Sequence, residues 1–383
     1  MRMRIVENDG PGRSGGSHQR WEQFLISFAT MILRSRMRTT TMNARRARRV
    51  LAAGALTAVV LAGCGSDDSP GATAEPSGVA TGGADPGQLA VVAGFYPLQF
   101  VAERVGGDAV VVTNLTPAGA EPHDLELTGR DTAQLQDAEL VVYLSGFSPA
   151  LDEGVEVVGG DHGLDVASAA RLDLDGPEDE HATEHTTAHA AETATSHEDD
   201  DDHDDGLDHA DRDPHFWLDP TRLADVADAV AARLAELDPD RAGEFTQRAS
   251  SLRGELEALD AELEAGLARC ESTDVVTSHA AFGYLAQRYG LTQVGISGLS
   301  PEEEPSPARL AEVAEFATEH DVSTIYYETL VDPSVAEAVA AETGAEAAVL
   351  DPIEGLTDGS AGSDYFEVMR SNLQSLRNGQ NCT

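Results

Sequence analysis

Between residues 178 and 213 this chain has nothing with which to build a core: six histidines stand among fifteen Asp and Glu, and Leu207 is the only apolar side chain larger than alanine. A stretch so poor in hydrophobic residues cannot offset the entropy of ordering itself. The chain before and after it must therefore fold around it as an inserted loop. Apolar residues resume at Asp213-Pro214-His215-Phe216-Trp217, so the insertion lies beside that segment. Neutral imidazole is a preferred ligand for zinc, copper and nickel, and carboxylates add charge. His181, His185, His189, His197, His203 and His209 are thus expected to hold metal ions weakly and at several places. The run His181-Ala182-Thr183-Glu184-His185 matches H-x-x-E-H, a zinc-protease signature that needs an ordered helix with an apolar face to aim both rings. Its neighbours are Thr, Ala and acids, so the match reflects composition and not catalysis.

The first 63 residues have a different character, with eleven of the 25 arginines and only three acids. Arg45-Arg46-Ala47-Arg48-Arg49 precedes a short apolar run that ends in Leu61-Ala62-Gly63-Cys64. A basic stretch, an apolar stretch too short to span a bilayer and a small-residue cleavage site predict a secretory signal over residues 1–63, with translation starting at Met37 or Met42. The last four of these residues resemble the bacterial lipobox, which implies cleavage before Cys64 and attachment of lipid to it. Residues 64–87, rich in Gly, Ser, Pro, Ala and Asp, predict a flexible tether. Beyond residue 63 stand 14 arginines, no lysine and 65 acids, a formal charge of −51, which excludes nucleic acid as a partner. Cys270 and Cys382 are expected to pair as a disulfide in an exported protein, two free thiols being the alternative.

From residue 88 the pattern alternates. Residues 89–95, 109–115 and 139–144 are short β-branched apolar runs, and 98–105 and 129–137 carry helical spacing. After the acidic tract, 221–237 and 239–267 predict two long helices, the second with Phe245, Leu252, Leu256, Leu259, Leu263 and Leu267 on one stripe. The alternation then returns, with strands at 274–277, 293–296, 323–327 and 347–350 and helices at 281–289, 308–319, 334–343 and 365–377. The fold class predicted is α/β: two lobes, each a mainly parallel sheet flanked by helices, joined by one long bridging helix. The expected organisation is an N-terminal lobe at 88–220 carrying the loop 178–212, a helical segment at 221–269, and a C-terminal lobe at 270–383.

Three histidines outside the tract lie where strands or loops end. His123 follows Glu121-Pro122, His215 follows Pro214, and His279 ends Val275-Val276-Thr277-Ser278; Asp351 and Glu328 likewise close strand-like runs. Ligands in open α/β sheets gather beyond the carboxyl ends of strands. Three imidazoles and one carboxylate would make a tetrahedral site for a borderline cation such as Zn²⁺, with nitrogens at about 2.0–2.1 Å. Four protein donors bind rather than hydrolyse, whereas three with an open position would allow catalysis. Glu121 could orient a ring. No nucleophile elbow, P-loop, H-E-x-x-H or dinucleotide fingerprint is present.

Over residues 88–383 the chain resembles the zinc-binding solute-binding proteins of bacterial ABC importers, the ZnuA and AdcA type. Glu121-Pro122-His123-Asp124, Asp213-Pro214-His215-Phe216-Trp217 and Thr277-Ser278-His279-Ala280-Ala281-Phe282-Gly283 look like that family's three histidine motifs in order, and Leu350-Asp351-Pro352-Ile353-Glu354-Gly355 looks like its C-terminal carboxylate motif. The charged loop falls between the first two motifs, as in the family. The resemblance implies a metal ion in the interlobe cleft on His123, His215 and His279, with Asp351 as fourth ligand and Glu121 or Glu328 in reserve. It implies Zn²⁺ rather than Mn²⁺ as the bound ion, an ABC permease and its ATPase as partners, and a monomer anchored by lipid on the extracytoplasmic face of the cell membrane. It also implies no enzymatic activity, and the rigid bridging helix predicts small lobe motion. A manganese or broad-specificity receptor, a zinc-dependent hydrolase and a metal-buffering or adhesion lipoprotein are the alternatives.

Overall fold

The computed structural model describes residues 87–176 and 212–383. The signal region, Cys64, the tether up to residue 86 and the six histidines of the acidic tract lie outside the described residues.

The first lobe begins with β1 (Leu89–Ala93), which leads through Phe95 into α1 (Tyr96–Gly106), where Pro97 sits in the first turn. Then come β2 (Val110–Asn114), α2 (Gly129–Asp137), β3 (Leu140–Tyr143), α3 (Pro149–Gly154), β4 (Gly163–Asp165) and α4 (Ala167–Ala170). A capping box starts α2: the Thr128 hydroxyl accepts from Asp131 N–H, and the Asp131 carboxylate accepts from Thr128 N–H. All four strands are parallel, in the order β2-β1-β3-β4.

Two helices follow, α5 (Pro220–Leu237) and α6 (Ala242–Leu267), separated by a turn at Pro239–Arg241. Asp219 caps α5 by accepting from Thr221 N–H at 2.8 Å, with Pro220 in the first turn. The second lobe comprises β5 (Asp274–Thr277), α7 (Gly283–Tyr289), β6 (Thr292–Gly295), α8 (Pro307–Glu319), β7 (Thr324–Tyr327), α9 (Ser334–Thr343), β8 (Glu346–Val349) and α10 (Tyr365–Gly379). Its sheet is again parallel, in the order β6-β5-β7-β8. Each lobe thus places its first strand between its second and third. The strand order reverses there, which opens a crevice at the carboxyl ends of the two central strands.

Helix α6, about 39 Å long at 1.5 Å per residue, touches both lobes. Towards its start Arg248 donates to Gly106 O at 3.2 Å, and Glu255 pairs with Arg104 of α1 at 2.6 Å. Further along, Asp260 accepts from Arg288 after a gap of only a few residues, and Glu262 pairs with Arg370 of α10 at 2.8 Å. Its buried side is the stripe Phe245, Ala249, Leu252, Leu256, Leu259, Leu263 and Leu267. One apolar cluster runs from Leu89 in the first sheet through α5 and α6 to Leu376 in α10, so the two lobes share a core.

Direct ties add to it. Tyr365 OH donates to Trp217 O at 2.6 Å, and Phe100 of α1 stacks on Tyr365 with ring centroids 5.4 Å apart. Arg222 of α5 donates to Asp173 at 2.8 Å and lies 4.4 Å over the Tyr284 ring of α7. The disulfide Cys270–Cys382 ties the end of the chain to the segment after α6. Among the described residues no helix is long and apolar enough to cross a membrane.

Candidate metal site

Each of the three histidines is delivered by a different local device. His279 follows β5, and its main chain is gripped twice: its carbonyl accepts from the Thr277 hydroxyl at 2.6 Å and from Gln293 Nε2 at 3.2 Å. Its Nδ1 faces Glu328 Oε1 at 2.7 Å, and the Ser278 hydroxyl donates to the same oxygen at 2.8 Å. Glu328 follows β7, which pairs directly with β5, so the two central strands of the second sheet place ring and carboxylate side by side.

His215 is fixed by Asp213. One carboxylate oxygen accepts from His215 N–H at 2.9 Å and faces His215 Nδ1 at 2.8 Å. Gly283 makes room for it, since a Cβ at that position would collide with the Asp213 carboxylate. A carboxylate on Nδ1 selects the tautomer whose Nε2 lone pair points the other way, into the cleft.

His123 lies in the long connection after β2. Glu121 Oε1 accepts from its main-chain N–H at 3.2 Å, and its ring packs on Phe147 with centroids 4.4 Å apart. Phe147 in turn packs on Phe95 and Trp217, a buried aromatic wall behind the site.

The three Nε2 atoms converge on one carboxylate, and it belongs to Glu354. Its Oε1 lies 3.6 Å from His123 Nε2, 3.2 Å from His215 Nε2 and 3.3 Å from His279 Nε2. A tetrahedral zinc with bonds near 2.0–2.1 Å has donor–donor edges of about 3.3–3.4 Å, so these spacings fit around one such ion. None of the contacts has hydrogen-bond alignment: all three Nε2 atoms and both Glu354 oxygens are buried without a hydrogen-bond partner. Five orphaned polar atoms at one point require something to satisfy them.

The electrostatics agree. Burial raises the cost of charging the Glu354 carboxyl, yet the three imidazoles against it hold it well below the usual carboxylate range. Burial likewise disfavours a charged His279, but Glu328 and Glu354 outweigh it and hold that ring well above the usual imidazole range. His215 is raised in the same way by Asp213 and Glu354, whereas burial dominates at His123 and lowers it. Glu121 is pushed up to about 9 by burial and by the Glu354 charge.

Asp351, the expected fourth donor, is buried in the same loop but turned away from the imidazoles. Its carboxylate accepts from Ile353 N–H at 2.8 Å and from the Thr329 hydroxyl at 3.3 Å. The structure brings Glu354 into the group instead. Glu121 and Glu328, the reserves, form a second group with Glu354, all within 4.8 Å of one another. Sequence reasoning missed Asp213 and Glu354, although both stand inside the motifs that carry His215 and Asp351. The signal for Glu354 was present as a second acid three residues beyond the first.

Two parallel-sheet lobes sharing one bridging helix, with three imidazoles and a carboxylate converging from both, define a receptor that binds a transition-metal cation. The family described as "Zinc-uptake complex component A periplasmic" matches residues 91–379, and the chain belongs to that family of substrate-binding receptors. It is 32% identical to the high-affinity zinc uptake system protein ZnuA of Bacillus subtilis, over 83% of this chain and 93% of that protein. It is 35% identical to the zinc-binding protein AdcA of Streptococcus pyogenes over 76% of this chain, and that match spans only 56% of AdcA. Among solved structures, the Zn(II)-bound ZnuA-like domain of Streptococcus pneumoniae AdcA is similar with a TM-score of 0.60 and 31% identity, covering 77% of this chain and all of that domain.

Proposed function

We propose that this protein is the extracytoplasmic receptor of a zinc importer: it captures Zn²⁺ on His123, His215, His279 and Glu354 and hands the ion to an ABC permease driven by a separate ATPase. The observation that carries this reading is the convergence of three orphaned Nε2 atoms on an orphaned, buried carboxylate. Nitrogen-rich donor sets favour zinc over the harder manganese ion, which prefers oxygen. Neutral rings with one carboxylate also leave a net charge of +1 around Zn²⁺, which Glu328 beside His279 offsets.

The role is binding and release without bond-making chemistry, because four protein donors close a tetrahedral zinc and leave no position for an activated water. We further propose that the protein is a monomer held at the membrane by lipid on Cys64. In this reading the six tract histidines raise the local zinc concentration near the cleft without forming part of it.

Zinc titration calorimetry with native mass spectrometry tests the proposal. The expected result is one tight zinc that survives deletion of residues 178–212 and excess Mn²⁺, but is lost in His279→Ala and strongly weakened in Glu354→Gln. Tight binding that disappears with the tract and ignores His279 would replace the receptor reading with metal buffering. Radiozinc uptake in cells lacking the gene, restored by the wild-type chain and not by His279→Ala, tests delivery.

A further inference from the structure

The loop that carries Glu354 contains the one backbone conformation near the site that its residue type resists. Ile353 has φ +59°, in the left-handed region, where a β-branched side chain crowds its own backbone. It is also fully buried in the shared core, so it cannot relax towards solvent. Such a conformation persists only where the surroundings impose it.

Those surroundings are identifiable atom by atom. Asn372 of α10 grips Asp351 at both main-chain groups, accepting from its N–H at 2.9 Å and donating to its carbonyl at 2.7 Å. Trp217 Nε1 donates to Pro352 O at 2.7 Å. The Asp351 carboxylate then accepts from Ile353 N–H at 2.8 Å, closing a side-chain turn of the kind by which Asp substitutes for a backbone acceptor. The Pro352 carbonyl and the Ile353 N–H are two sides of one planar peptide, so Trp217 holds that unit from outside the loop and Asp351 holds it from within. Residue 353 immediately precedes Glu354, so its φ and ψ decide which way the Glu354 side chain departs from the loop.

We infer that Asp351 is the positioning residue of the zinc site: by holding the Ile353 amide it imposes the left-handed bend that delivers the Glu354 carboxylate to the three imidazoles. The inference rests on Glu354 being a zinc ligand, as proposed above. It assigns the buried aspartate a task other than ligation and explains why the loop contains two acids three residues apart. It also registers the fourth donor to His215, since the Trp217 indole that holds Pro352 lies two residues beyond that histidine.

The test compares zinc affinity, by chelator competition, in wild type, Asp351→Asn, Asp351→Ala, Asp351→Ala with Ile353→Gly, and Glu354→Gln, with metal-free melting recorded for each. Asparagine keeps an oxygen that accepts from the Ile353 amide but removes the charge, so Asp351→Asn is expected to stay within about threefold of wild type. Asp351→Ala is expected to lose about 10–100-fold, the effect typical of groups that orient a metal ligand. Glycine adopts the left-handed region without steric cost, so adding Ile353→Gly should recover most of the loss even though it lowers the melting temperature. That recovery is a readout that mere damage to the fold would not produce.

Wild-type affinity in Asp351→Ala, or no recovery with glycine, overturns the inference. So does a loss in Asp351→Asn as large as in Glu354→Gln, a comparison that decides the matter even where Asp351→Ala does not fold. Wild-type affinity in Glu354→Gln instead removes the ligand assignment itself, which separates the two failures.

Discussion

Zinc has to displace protons to enter this cleft, and the geometry says which ones. Glu328 and Glu354 hold His279 well above the usual imidazole range against the opposing effect of burial, and Asp213 and Glu354 raise His215. Burial lowers His123, which is therefore neutral in the metal-free protein at pH 7. A proton on Nε2 occupies the lone pair that the ion needs. Each displaced proton makes apparent affinity change about tenfold per pH unit. Affinity should therefore fall as pH falls. The slope should be near two decades per unit where His215 and His279 are both protonated, near one above the His215 value, and flat once pH passes the raised His279 value. Glu354, held well below the carboxylate range, stays ionised throughout and adds no slope. Glu121, pushed up to about 9, carries a third proton that the ion's charge can expel, so the Glu121→Gln variant isolates the imidazole contribution. Chelator competition between about pH 5.5 and 8.5 gives the slope, and calorimetry in buffers of different ionisation enthalpy gives the protons released per zinc. An affinity that changes less than about threefold between pH 6 and 8 in Glu121→Gln, with no buffer-dependent heat, would refute the protonated free site; the expectation from one displaced proton is about 100-fold.

The metal-free chain should show the complementary linkage: stabilisation from protonated His279 is complete below the ordinary imidazole value near 6.5 and is lost as pH rises through its raised folded value, so metal-free melting should decline over that window. Asp213→Ala leaves His215 without the acceptor 2.8 Å from its Nδ1, and zinc affinity by chelator competition should drop about 10–100-fold. Cys270→Ser opens a loop closed over 112 residues and should cost about 2–5 kcal/mol in denaturant unfolding, with zinc stoichiometry unchanged in the folded protein. Because one apolar cluster runs through both lobes, scattering profiles of the free and zinc-bound protein should superimpose; a clear fall in radius of gyration on binding would show a hinge that the shared core does not contain.

Much of the fold was legible because its signals are local. Short β-branched apolar runs and helical stripes between them placed seven of the eight strands among the described residues, and the long helices, to within a few residues. The long pattern at 239–267 divided into a turn and a helix because Asp238 accepts from Arg241 N–H and starts a separate turn at Pro239. β4 escaped notice because Gly163–Asp165 is only three residues long and offers no alternation to count. It owes its place to pairing with β3, a tertiary contact. Neither did periodicity announce that the two sheets share a strand order, since that depends on which strands pair and not on what each contains.

The site was legible to a different depth at each donor, and the difference follows from how far away its support lies. His279 and Glu328 end strands, and a strand end points to the crevice once its sheet is parallel, so their types and positions sufficed. His215 is oriented by Asp213 two residues earlier, a device contained within its own motif. The choice between Asp351 and Glu354 was of another kind. Both acids occupy one short loop and both are buried, so composition and spacing treat them alike. What separates them is the left-handed bend at Ile353, whose amide is held by the Asp351 carboxylate in a loop anchored by Asn372 from the last helix and by Trp217 from the His215 segment. A β-branched residue is a poor advertisement for a left-handed bend, so sequence preference argued against the conformation that the fold enforces. Which acid joins the three imidazoles is therefore a property of the assembled molecule: the packing that makes the two lobes one body is also what turns Glu354, and not its neighbour, towards those rings.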